Sequence, residues 1–181
     1  MAQTTITEAL ADIKTSLARI EKKRAVVSGF LGRDSRLRDP LEKEGGSQEF
    51  VRRERQAIYD LEEKIVRTRT AIQQANLATM VTIEGEERSL SAWLNWRREV
   101  AGPRQKFLQT MAAQVANLRQ QAVRQGQQVK ESVDGPVTAT GDLIVSVSEA
   151  DLAAAVDKLE KVLGTLDGRL SLINATTTID V

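Results

Sequence analysis

The sequence predicts a mainly α protein built from long, heptad-patterned helices, arranged as an αα-hairpin followed by further long helices. Three observations carry this. Apolar residues recur in alternating steps of three and four along four separate stretches, the spacing that lines one face of a coiled-coil helix. Aromatic residues are only 3% of the 181 residues, and Ala, Leu, Gln, Arg and Glu dominate, a profile of amphipathic helices and not of a sandwich. Runs with strand character are confined to short pieces near residues 80–88, 143–148 and 176–181.

The first seam is Ile6, Leu10, Ile13, Leu17, Ile20 and Val27, with Arg24 in the skipped slot. Thr5 and Glu8 have capping-box spacing, which starts the helix near Ile6, and Gly29 and Gly32 end it. Residues 33–47 read as a loop, because Asp39-Pro40 disfavours helix and Gly45-Gly46 breaks it. Ser47 is the expected cap of a second helix, running through Val51, Ile58, Leu61, Ile65, Ile72 and Ala75 to about Asn76. Glu54 and Thr68 fill its polar slots. Residues 1–78 therefore form an antiparallel αα-hairpin.

Residues 79–131 form the second segment. In MVTIEGEERS, Val81 and Ile83 alternate with polar residues before Glu84-Gly85-Glu86, the pattern of a β-tongue. Ser89 or Ser91 then caps a short helix with Trp93, Trp96 and Val100 on one face. Ala101-Gly102-Pro103 interrupts it, and a third long helix restarts at the proline, with Leu108, Met111, Val115, Leu118, Ala122 and Val129 as its seam.

Residues 132–181 complete the chain. The linker ESVDGPVTATGD leads to the strand LIVSVS, and Ser148 and Asp151 open a fourth helix. Its seam is Leu152, Val156, Leu159, Leu163, Leu166, Leu170 and Ile173, all at four-three steps. The β-rich tail is expected to pair with LIVSVS or with the Val81–Ile83 tongue. The three segments read as parts of one elongated unit. The third helix offers a thinner seam than the fourth, so part of the leucine edge is expected to stay uncovered. A homo-oligomer follows, a trimer before a dimer.

Trp93, Trp96 and Arg97 sit where tongue, short helix and kink converge. Large rings fill irregular corners that heptad packing leaves open, so this cluster reads first as a structural corner. A partner contact comes second and base stacking last.

Net charge is +1, unevenly placed. Residues 88–130 hold Arg88, Arg97, Arg98, Arg104, Lys106, Arg119, Arg124 and Lys130 against Glu99 alone, a local +7. Residues 131–181 hold nine acids and three bases, a local −6. Mutual pairing of the third and fourth helices accounts for this better than phosphate binding, so a nucleic-acid partner is disfavoured.

The chain has neither cysteine nor histidine, which removes the thiolate nucleophile and the commonest general base and metal ligand. The loop acids Asp34, Asp39, Glu42 and Glu44 lack EF-hand spacing, and no phosphate-loop, dinucleotide or nucleophile-elbow motif occurs. No catalytic, cofactor or metal residues are assigned, and an enzyme is not expected. The N-terminus lacks the apolar stretch of a signal peptide, and no apolar run approaches the ~18 residues of a membrane span. A soluble protein made in a cytoplasm, without a membrane partner, is expected.

Five phrases, ITEALADIKTSLARIEKKR, DPLEKEGGS, ERQAIYDLEEKIVRTRTAIQQAN, VTIEGEERSLSAWLNWRREVAGP and LINATTTIDV, together resemble a family of small helical proteins encoded by tailed bacteriophages and prophages. The likeness spans nearly the whole chain, and W-L-x-W-R-R-E-V is its most specific part. It brings no catalytic residues. It implies a phage structural or assembly context; taken with the helical seams, the expected function is a virion structural protein, made in the host bacterial cytoplasm, that contacts itself and other virion proteins at the collar or neck, tail exterior or capsid surface. A phage nucleic-acid-associated or scaffolding factor using residues 88–130 is the alternative.

Overall fold

The computed structural model describes residues 3–131, 141 and 143–180; the expected linker at 131–142 lies almost wholly outside them. The chain is mainly helical with a few short strands in small sheets. It divides into two units, Met1–Thr79 with Ser171–Val181, and Met80–Leu170. This grouping differs from three consecutive segments: the C-terminal end joins the N-terminal hairpin, and the two middle stretches group together.

In the first unit, β1 (Gln3–Thr5) leads into α1 (Ile6–Ser28), and α2 (Gly46–Ala78) returns antiparallel to it. The capping box forms. The Thr5 hydroxyl accepts from the Glu8 amide at 3.2 Å, and the Glu8 carboxylate accepts from the Thr5 amide at 2.9 Å. Donation to it from the Thr5 amide foremost, and then from the Thr5 and Thr4 hydroxyls, holds the Glu8 carboxyl below its ordinary pKa.

The hairpin seam is turned relative to the sequence reading. Ile6, Ala9, Ile13, Ser16, Ile20 and Val27 are buried, while Leu10 and Leu17 are 40% and 47% exposed. Thr68 is buried on α2 beside Ile58 and Ile72, and its hydroxyl donates to the Lys64 carbonyl at 2.8 Å, so this hydroxyl is not stranded. Small residues at positions 9 and 16 leave room for close helix approach, and the larger leucines move to the flank. Lys23–Glu54 (2.6 Å), Asp12–Lys64 (2.6 Å) and Arg24–Glu62 (2.8 Å) link the two helices.

Ser47 does not cap α2. The N-cap is Gly45, in the left-handed region at φ 96°, and the cap is supplied from across the loop. The Asp39 carboxylate accepts from the Ser47 hydroxyl (2.7 Å), the Ser47 amide and the Leu41 amide. Those donors, led by the Ser47 hydroxyl and with Arg33 adding attraction, lower the Asp39 pKa to about 2. Phe30 and Phe50 meet at 5.0 Å between ring centroids and brace the loop.

The tail β6 (Thr178–Asp180) pairs with neither expected partner. It runs antiparallel to β1, with Thr4 opposite Ile179, and the Ile6 amide donates to the Thr177 carbonyl at 3.0 Å. Ile179 is buried in one cluster with Ile6, Ala9, Ile13 and Ile72. Burial of that isoleucine decides the pairing, because a two-stranded ribbon needs an apolar surface beneath it.

In the second unit, β2 (Met80–Ile83) and β3 (Glu86–Ser89) form the tongue, with Ile83 opposite Glu86. Glu84 and Gly85 both take positive φ, 50° and 80°, as a two-residue type I′ hairpin turn requires. The helix α3 (Leu90–Trp96) does not stop before Pro103. A π-helical turn, Arg97–Ala101, joins it to α4 (Gly102–Arg124) with helical backbone throughout. Proline lacks an N–H and crowds the carbonyl four residues back; a wider turn ahead of it absorbs the fault without breaking the helix.

Strands β4 (Val129–Glu131) and β5 (Leu143–Val145) pair in parallel, an arrangement with no cue in the sequence. Beside them Val115, Val145 and Leu152 form a buried cluster with Leu108, Met111 and Val147 packed against it. The long helix α5 (Glu149–Thr176) follows, opened by the Ser148 hydroxyl accepting from the Ala150 amide.

Candidate functional site

The tongue is short, so it must bury one face, and Val81 and Ile83 provide it. Ser89 caps α3 by accepting from the Ala92 amide at 3.2 Å, which fixes the direction of the tryptophan-bearing helix. Leu90 and Trp93 are then buried, at 0% and 2% exposure. The Trp93 indole N–H donates to the Val81 carbonyl at 2.9 Å. The ring carries the Arg88 guanidinium over it at 4.9 Å and meets Trp96 edge-on at 5.6 Å. Trp93 is thus a structural anchor, satisfied at its one polar atom.

Trp96 is half-buried, and beside it opens a cavity of about 570 Å³. Trp96, Val100 and Leu108 line one wall, and Leu159 and Val162 of α5 line the other; Ile83 and Glu84 come from the tongue. The π-helical turn sits in this wall, the kind of irregularity that often marks functional helices. Arg104 and Lys158 also line the cavity. Sequence reasoning marked the tryptophans but missed the cavity, since residues 83–108 enclose it only together with α5, some fifty residues further along the chain.

Arg97 leaves the cavity to pair with Asp167 at 2.6 Å, and Arg119 pairs with Glu149 at 2.8 Å. The basic α3–α4 run and the acidic α5 therefore meet within one chain, antiparallel, as the opposite charges of the two segments implied. Both pairs are at least partly exposed, so their weight is in register more than stability.

The α5 seam divides. Leu152, Leu159 and Leu166 are buried together with Val162, whereas Val156, Leu163, Leu170 and Ile173 are only half-buried. Three of the seven seam residues are thus covered within the chain and four are covered only in part, so this edge is neither fully open nor fully closed. An open apolar stripe lies on the hairpin. Arg24 and Glu62 mark one flank of the α1–α2 pair. Stepping by helical repeats from them places Leu10, Leu17, Tyr59 and Val66 on that same flank. These four are 40%, 47%, 49% and 59% exposed.

Among the described residues no group of three or more acidic side chains could hold a metal ion, and no helix is long and apolar enough to cross a membrane. The loop acids are engaged locally: Asp34 with Arg36, Glu42 with Arg38, and Asp39 with Ser47. Family profiles, curated proteins and solved structures give no match to this chain.

Proposed function

We propose that the chain is a non-enzymatic structural protein of a tailed-phage particle, a helical element that associates with copies of itself. The particle setting rests on the resemblance of its motifs, and the association on the apolar flank of the hairpin. Leu10, Leu17, Tyr59 and Val66 form an open apolar stripe along one flank of the hairpin, and such stripes mark contact surfaces. A second copy fits this flank because Glu21, Arg24, Arg55 and Glu62 around it balance in charge, so like surfaces do not repel. A trimer remains the favoured number, and collar or neck, tail exterior and capsid surface are the candidate places.

The alternative, a nucleic-acid or scaffolding role for residues 88–130, loses ground because Arg88, Arg97, Arg98 and Arg119 have carboxylate partners within the chain. Mass spectrometry of purified phage particles tests the reading. The chain is expected at a fixed, multiple copy number per particle. Its absence from mature particles, with presence in assembly intermediates, would move it to the scaffolding class.

A further inference from the structure

The geometry points to a second property, separate from self-association: the cavity beside Trp96 is a binding site for a small amphipathic acid, a molecule with an apolar body and one anionic group. Its volume, about 570 Å³, lies within the range of small-molecule sites. The walls are largely apolar and aromatic, formed by Trp96, Val100, Leu108, Leu159 and Val162.

Charge at the rim selects the sign of the ligand. The two acids there are already matched, Glu84 by Lys161 at 3.0 Å and Glu86 by Arg88. The cations Arg104 and Lys158 are not: among the described residues neither makes an ion pair or hydrogen bond. They stand on α4 and α5 and both line the cavity, so an anionic group bound there has two unmatched cations available to it. Trp96 adds an indole N–H that donates to no group among the described residues. An apolar lining with a few polar donors orients an amphipathic ligand, and Arg104 and Lys158 are exposed to solvent, which allows entry beside them.

Both tryptophans of the chain line this cavity, so intrinsic fluorescence reports its occupancy directly. The full-length protein is titrated with decanoate below its micellar range, and in parallel with decanol and decyltrimethylammonium. Decanoate is expected to shift the emission saturably, decanol to bind more weakly, and the cationic analogue not to bind. Arg104→Gln and Lys158→Gln, surface changes that leave the fold intact by circular dichroism, are each expected to weaken decanoate several-fold to about tenfold, the scale of one charge-assisted contact. Ala155→Phe, which fills the cavity from α5, is expected to abolish the response. The assignment fails if decanoate produces no saturable shift, if the cationic analogue binds equally well, or if Ala155→Phe leaves the affinity unchanged. Because the readout is a spectral shift at unit-two residues, it is independent of whether the chain self-associates.

Discussion

Trp93→Ala is expected to cost on the order of 3–5 kcal/mol, the scale of removing a large buried ring. The change opens a void under the tongue, removes the donor to the Val81 carbonyl and takes away the surface on which Arg88 lies. A two-stranded tongue has little stability of its own, so residues 80–89 should lose amide protection first. Trp93→Phe separates the two contributions: it keeps most of the ring but leaves the Val81 carbonyl without its partner, a loss of about 1–3 kcal/mol. Trp96→Ala, at a half-buried ring, should cost only about 1 kcal/mol. Thermal and urea melts check the order. If Trp96→Ala proves as damaging as Trp93→Ala, the anchor has been assigned to the wrong ring.

Leu166→Asp should be comparably severe. Leu166 is fully buried, so the substitution loses the leucine packing and places a carboxylate where water cannot reach it. Together these amount to at least about 3 kcal/mol. Leu163→Asp tests the register of α5. In a strict heptad seam it would be equally harmful; Leu163 is half-buried, so its aspartate can reach solvent and the penalty should be clearly smaller. Equal melting losses for the two variants would return the core of α5 to the heptad register.

The elements were legible in the sequence wherever a local rule decided them. Thr5 with Glu8 set the start of α1, and Glu84-Gly85 set the turn of the tongue. Seven-residue spacing brought out the helices. What the spacing left open was which of two adjacent faces turns inward. Ala9 and Ser16 won over Leu10 and Leu17 because helix approach distance is a property of the pair, and one helix read alone does not contain it. Partners distant in sequence were equally hidden: Asp39 capping α2, Ile179 burying against Ile6, and β4 lying parallel to β5 each depend on tertiary placement. At the site, Trp93 was legible as a corner residue because an isolated large ring beside a β-tongue and a proline needs an irregular space. The cavity and its cations Arg104 and Lys158 were not, since only folding brings α4 and α5 to one cavity.

The self-association at the centre of this account is tested most directly by size-exclusion chromatography with light scattering on the unmodified chain and on Leu17→Asp. The subunit mass is 20.0 kDa. The unmodified chain is expected to elute as an integral multiple of that mass, a trimer of about 60 kDa being favoured. Leu17→Asp, a change at an exposed position, is expected to run as a folded monomer with nearly unchanged melting. An unmodified chain that stays at 20.0 kDa up to concentrations of tens of micromolar, or an oligomer indifferent to Leu17→Asp, would contradict the account.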